Sequence, residues 1–386
     1  MKIIIAPDSF KENLTALQVA SHMEKGIKQA LPRARCIKVP MADGGEGTVQ
    51  SLVDATGGRI IRKTVTGPMG KKVNARYGML GDETTAVIEM AEASGLPLVK
   101  KAERNPLKAT SFGTGELIIN ALDKGARKII IGLGGSATVD GGSGMAQAIG
   151  VRFITDKGKE ISTHGSGGML NTIADIDVSG VDKRIKKTEF IIASDVTNTL
   201  HGKLGAAHVF GPQKGATPAM VKTLDANLKH YGSIIKKTLK KDISKLKGAG
   251  AAGGLGAGLV AFTDAKMKRG VELVVELTGL PKYLKGADLV ITGEGRVDFQ
   301  TAFGKTPAGV AAAARKAGVP CVAIGGSLAD DANGVFKHGI DGLESAAARD
   351  MDLAEAIANS PRHLELAAER VMRLLLLGRK MARKRK

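Results

Sequence analysis

Met41-Ala42-Asp43-Gly44-Gly45-Glu46-Gly47-Thr48 sets two carboxylates and three glycines in one short loop, between an apolar run (Cys36 to Val39) and a helical pattern (Val49 to Ala55). That placement reads as a strand-to-helix turn. Glycines let a backbone turn tightly and approach a ligand closely, and a helix N-terminus favours anions. Carboxylates do not themselves attract phosphate, so Asp43 and Glu46 fit better as Mg2+ ligands or proton acceptors. The combination points to a phosphorylated or acidic small molecule. The plainer reading is a glycine-rich turn with Asp43 capping the helix.

Other segments have the same character. The first apolar run ends in Pro7-Asp8-Ser9-Phe10-Lys11 and enters a helix near Thr15. Gly132-Leu133-Gly134-Gly135-Ser136-Ala137-Thr138-Val139-Asp140-Gly141-Gly142, Phe210-Gly211-Pro212-Gln213-Lys214-Gly215-Ala216-Thr217 and Asp288-Leu289-Val290-Ile291-Thr292-Gly293-Glu294-Gly295-Arg296-Val297-Asp298 follow. Taken in chain order, the five segments resemble the type-I glycerate kinase family over residues 1–345. The resemblance implies phosphorylation of D-glycerate with ATP and Mg2+, usually to 2-phosphoglycerate, on two α/β domains with a cleft between them. Two departures stand out: Thr199 in Asp195-Val196-Thr197-Asn198-Thr199-Leu200 where the family has proline, and a weaker match from Glu344 onward.

A kinase of a small alcohol needs anion binders for the triphosphate, carboxylates for Mg2+, and a group to orient or deprotonate the hydroxyl. No G-x-x-x-x-G-K-[ST] occurs, which removes the common P-loop. Gly134, Gly135, Ser136 and Thr138 form the best remaining phosphate cradle, joined on the nucleotide side by Lys214, Gly44 and Gly45. Asp43, Glu46, Asp140, Asp195, Glu294 and Asp298 exceed what one metal needs. Asp43 and Glu294 are the metal candidates; Asp195 and Asp298 are the candidates for the hydroxyl side, though each could be a cap or turn residue. A glycerate carboxylate asks for a bidentate arginine, which selects Arg296. Lys11 and Lys214 suit phosphate oxygens, Lys11 within the catalytic group. The seven histidines show no paired metal spacing.

The elements that position these loops follow from alternation of β-branched runs with helical patterns, the signature of a parallel sheet with helices on both faces. Strands are expected at Lys2–Ala6, Cys36–Val39, Lys128–Gly132, Phe190–Ala193, Asp288–Thr292 and Pro320–Ile324. Ligands bind outside the carboxyl ends of such strands. Arg59–Val65, Asn74–Leu80 and Ala86–Met90 instead read as an antiparallel meander, the entry to a second domain. The expected division is a discontinuous α/β domain of residues 1–58 with 288–386, Rossmann- or flavodoxin-like, interrupted by an α/β domain of 59–287. Gly248 to Gly258 precedes a helix and is too apolar for a solvated linker.

Composition narrows the alternatives. Hydrophobic content of 43% and charged content of 25% are those of a soluble globular protein, while 51 glycines in 386 residues is about twice the usual share. Cys36 and Cys321 lie in apolar stretches and read as buried thiols in a reducing, cytoplasmic setting; no run is long enough to span a membrane. A net charge of +19, concentrated in Lys222–Lys247 and in a tail expected to fray (Arg379–Lys386), raises a nucleic-acid partner as an alternative. Aromatics at 3% and the absence of any recognition motif weigh against it. A nicotinamide-linked dehydrogenase would need G-x-G-x-x-G after the first strand, where Pro7-Asp8-Ser9 stands instead. Within the kinase reading, phosphorylation of the 3-hydroxyl is the other outcome.

Overall fold

The computed structural model describes residues 1–384, apart from the side chain of Phe303; Arg385 and Lys386 of the basic tail lie outside the described residues. Its strands in chain order are β1 (Lys2–Ile5), β2 (Arg35–Lys38), β3 (Arg59–Thr66), β4 (Lys72–Met79), β5 (Thr85–Glu89), β6 (Lys128–Gly132), β7 (Arg152–Ile154), β8 (Asp175–Asp177), β9 (Glu189–Ala193), β10 (Lys266–Lys268), β11 (Leu289–Val297), β12 (Cys321–Leu328) and β13 (Gly342–Ser345). They fall in two compact units. Residues 1–43, 50–56 and 271–386 form the first, and 44–49 with 57–270 form the second.

The first unit is built on a parallel sheet of order β13-β12-β11-β1-β2. Ile3, Ile4 and Ile5 are wholly buried, as expected of a central strand covered on both faces. Helix Ala16–Ala30 begins where its capping residues predict: Gln18 N–H donates to Thr15 Oγ1 at 3.3 Å, and the Gln18 side chain accepts from Thr15 N–H at 2.9 Å. With helix Ser360–Arg383 it closes a core over Ile3, Ile5, Leu289 and Ile291. Gly26 permits the approach of those helices, since a Cβ there would stand 1.9 Å from the Glu365 carbonyl oxygen. The chain leaves β1 toward β2 on one side, while β11 lies on the other. That reversal marks a crevice at the carboxyl ends of β1 and β11.

The second unit holds a six-stranded sheet of order β10-β9-β6-β5-β4-β3 and a β7–β8 ribbon. β3, β4 and β5 form the expected antiparallel meander, and β5, β6, β9 and β10 run parallel. The alanine-glycine stretch is buried, not a linker. It opens with three left-handed residues, Ala252 (φ 51°), Gly253 (φ 69°) and Gly254 (φ 91°), before continuing as helix to Thr263.

The basic tail departs from expectation. Instead of fraying, residues through Arg383 continue the last helix, with Arg379, Lys380 and Arg383 exposed on its final turns. No described helix is long and apolar enough to cross a membrane. Deletion of residues 379–386 should therefore shift the melting temperature by no more than about 2 °C and leave kcat unchanged, because few buried contacts are lost. A large fall in kcat would tie the tail to catalysis.

Candidate active site

In the first unit the crevice between β1 and β11 gathers acids. Asp8 follows β1, and its N–H donates to the Gly293 carbonyl of β11 at 2.8 Å. Its carboxylate accepts from Ser9 N–H at 2.6 Å and from the Thr306 hydroxyl at the start of helix Thr306–Lys316. Burial, then the charges of Asp43 and Glu294, push its pKa up from 3.8 to about 7. Glu294 accepts from Thr301 Oγ1 at 2.6 Å, and burial raises its pKa as well. Lys305 Nζ lies 3.4 Å from Glu294 and 3.6 Å from Asp298.

Several expected residues are here. Glu294 and Arg296 lie within β11, which runs past the expected turn to Val297. Arg296 is exposed, and so is Lys11. Asp298 is an N-cap: its Oδ1 accepts from Gln300 N–H at 2.9 Å. Asp8, Lys305 and Thr306 were not singled out as site residues. Asp8 stood in a noted turn, but nothing local signals a raised pKa that depends on partners 35 and 286 positions away.

In the second unit the loop after β6 turns backbone N–H groups outward. Gly134 and Gly135 are exposed, and among the described residues no group accepts from the N–H of Gly134, Gly135 or Ser136. The carbonyl sides are braced: Leu96 N–H donates to Gly135 O at 2.7 Å, and Ala137 N–H to Ser94 O at 2.9 Å. Lys214 does not reach outward as expected. It is 2% exposed and donates to Ser136 Oγ and Thr138 O, both at 2.7 Å, from beneath the loop. Asp140 is wholly buried and accepts from Ser111 N–H and Oγ and from Gly142 and Gly144 N–H. It organises the loop and presents nothing to a ligand.

Gly44 and Gly45 also belong to this unit. Gly44 (φ 93°) brings the backbone so close to Gly270 that a Cβ would stand 2.7 Å from the Gly270 Cα. The helix after them, Thr48–Thr56, does not offer an empty N-terminus: Val49 N–H donates to Glu89 Oε1 at 2.8 Å, so the protein's own carboxylate takes the anion position. Asp195 follows β9, exposed, with Arg269 Nε 3.4 Å from its Oδ1. Arg269 itself was missed by sequence reasoning; it follows the three-residue strand β10, too short to give a pattern.

Acids at the carboxyl ends of one parallel sheet, and a glycine-serine cradle at those of another, are the parts of a small-molecule kinase made without a P-loop. The sequence model of the glycerate kinase family matches residues 3–376, and the chain belongs to that family. The match passes well beyond residue 345 and takes in the terminal helix as far as residue 376. The chain is 54% identical over 369 residues to a glycerate kinase of Halalkalibacterium halodurans, covering 96% of this chain and 97% of that one. It is 50% identical over 382 residues to the glycerate 2-kinase of Escherichia coli, covering 99% of this chain and 100% of that one. A crystal structure from Salmonella typhimurium LT2, of a protein described as a candidate glycerate kinase 2, superimposes with a TM-score of 0.91 at 49% identity, over 98% of this chain and 99% of that one.

Proposed function

We propose that the protein transfers the γ-phosphoryl group of ATP to the 2-hydroxyl of D-glycerate, giving 2-phosphoglycerate and ADP. The observation that carries this reading is Asp8, a carboxylate at the β1–β11 crevice whose pKa lies near 7, where a general base works best. The name of the Escherichia coli relative supports the 2-position. The hydroxyl oxygen bonds to the γ-phosphorus, the bond to the β–γ bridging oxygen breaks, and the hydroxyl proton passes to Asp8. Arg296 clamps the glycerate carboxylate, and Lys11 meets phosphoryl oxygens. The N–H groups of Gly134, Gly135 and Ser136 hold the triphosphate, with Thr138 shaping their loop and Gly44 and Gly45 giving close backbone approach. Asp298 works through Lys305, and Asp195 through Arg269.

Asp43 and Glu294 are the residues assigned to Mg2+. Their oxygens are the hard donors that ion takes, and both bear electrostatically on Asp8. Among the described residues no three His, Cys, Asp or Glu side chains form a metal-holding group. The assignment therefore relies on phosphate oxygens and water for the remaining coordination, as is usual for Mg2+. When bound, Mg2+ neutralises charge on the β- and γ-phosphoryl oxygens. The free thiols of Cys36 and Cys321 support a cytoplasmic setting.

Purified protein with ATP and Mg2+ should consume ATP only when D-glycerate is added, and 31P NMR should report 2-phosphoglycerate. Formation of 3-phosphoglycerate would move the acceptor to the neighbouring hydroxyl. ATP turnover at the same rate without glycerate would refute the reading.

A further inference from the structure

Lys214 carries an argument beyond its place in the cradle. Its amine is enclosed, and the hydrogen bonds to Ser136 Oγ and Thr138 O, each 2.7 Å, use two N–H groups. A neutral amine has two; an ammonium has three. Among the described residues the third hydrogen finds no acceptor. Access from the helix Ala251–Thr263 is closed by backbone: a Cβ on Gly253 would stand 1.8 Å from Thr138 O. From the other side Gly215 lies against Arg104, whose Nη1 donates to Gln213 O at 3.4 Å.

The charges around it are few. Asp140 bears on Lys214, but its carboxylate is already committed to four donors. The phenol of Tyr231 is buried and feels the same carboxylate, and among the described residues its hydroxyl has no hydrogen-bond partner. Arg104 brings positive charge to the Gln213–Gly215 backbone, and His208 lies 3.9 Å from Asp225. Burial outweighs the help of Asp140 and brings the Lys214 pKa down from 10.5 to about 7. A polyphosphate on the exposed Gly134–Gly135 side of the loop would add several negative charges near the buried amine, favouring its protonated form.

We propose that Lys214 is a positioning residue that takes a proton from solvent as a polyphosphate settles on the Gly134–Thr138 loop, so that nucleotide binding is coupled to proton uptake. The new N–H bond forms on the amine nitrogen, the proton comes from buffer, and the resulting ammonium holds Ser136 and Thr138 while offsetting ligand charge through the loop. The inference rests on the assignment of that loop to the triphosphate.

The test is calorimetric titration with a non-hydrolysable ATP analogue and Mg2+ at pH 8, in two buffers of different ionisation enthalpy. Wild type should take up about half to one proton more than Lys214→Arg or Lys214→Met, because guanidinium is always charged and the thioether never is. Comparison with the variants removes protons exchanged by the nucleotide itself. The wild-type Kd should also rise about three- to tenfold per pH unit between pH 7.5 and 9, the slope that such an uptake requires. Equal proton counts in wild type and in a variant that binds would overturn the proposal and leave the nucleotide site standing. If neither variant binds, a wild-type Kd flat across that range overturns it in the same way. Failure of the wild type to bind the analogue would overturn the nucleotide assignment, and this proposal with it.

Discussion

Replacing Asp8 by asparagine will lower kcat by about 10²- to 10⁴-fold, the contribution of a positioned general base. Asparagine keeps the size of the side chain and an oxygen for the Ser9 N–H, its amide can donate to the Thr306 hydroxyl oxygen instead of accepting from that hydroxyl, and it cannot take a proton. The variant should also be more stable than wild type at pH 8. The folded pKa of Asp8, about 7, lies above its ordinary value of 3.8. Below about pH 4 the group is protonated folded and unfolded, and it has no effect. Between about 4 and 7 the folded chain holds a proton that the unfolded chain has lost, so stability falls as pH rises. Above 7 the whole penalty remains, on the order of 4 kcal/mol for three pKa units. Differential scanning calorimetry should therefore give the asparagine variant a melting temperature higher by about 5 °C at pH 8 and equal at pH 4. Retention of more than a third of wild-type kcat would remove Asp8 from the chemistry; an unchanged melting temperature at pH 8 would remove its buried charge.

Gly253→Ala should be the most damaging small substitution in the second unit. At φ 69° an L-residue is already strained, and its Cβ would stand 1.8 Å from the Thr138 carbonyl oxygen. Neither partner is the mobile end of a side chain, so backbone must move by more than 1 Å. Thr138 O is also an acceptor for Lys214, so the movement propagates into the loop that carries Ser136. A loss of about 3 kcal/mol or more is expected, with affinity for an ATP analogue down about 10²-fold where the protein stays folded. Gly202→Ala is the control: φ is 92°, but nothing lies within 4 Å of the added methyl, so the loss should be about 1 kcal/mol. Similar melting temperatures for the two variants would show that Thr138 yields easily.

These two residues mark where sequence reading stops. The central strands were legible because Ile3-Ile4-Ile5 and Ile129-Ile130-Ile131 are β-branched runs bounded by turn residues. The meander was legible from its Gly-Pro and Gly-Asp turns, and a helix start was expected near Thr15, where it lies. Beyond that, position along the chain misleads. Lys214 looks like a phosphate ligand in its motif, and only the fold turns it inward beneath Ser136. Asp298 looks like a catalytic acid and spends an oxygen on Gln300. Glu89 ends an ordinary strand, yet it fills the helix terminus that the Gly44–Gly47 loop seemed to leave for a ligand. Each of these outcomes depends on a partner forty or more residues away or on a local backbone turn, and neither leaves a periodic trace.

The register of the first sheet also sets an order of assembly. Ile3 pairs with Leu289, and Ile5 with Ile291, so the first strand made by the ribosome has β2 available by residue 38 but waits for almost three hundred residues before its second neighbour exists. The six strands β3, β4, β5, β6, β9 and β10 all lie within residues 59–268, and their sheet can close while β1 still lacks β11. At about 5–20 residues per second, the interval between synthesis of β1 and synthesis of β11 lasts roughly 15–60 s. During it β1 exposes an unpaired edge of three isoleucines, the kind of edge that joins other chains. Lys2 precedes them and helix Ala16–Ala30 covers one face of them, but the backbone edge itself is closed only by β11.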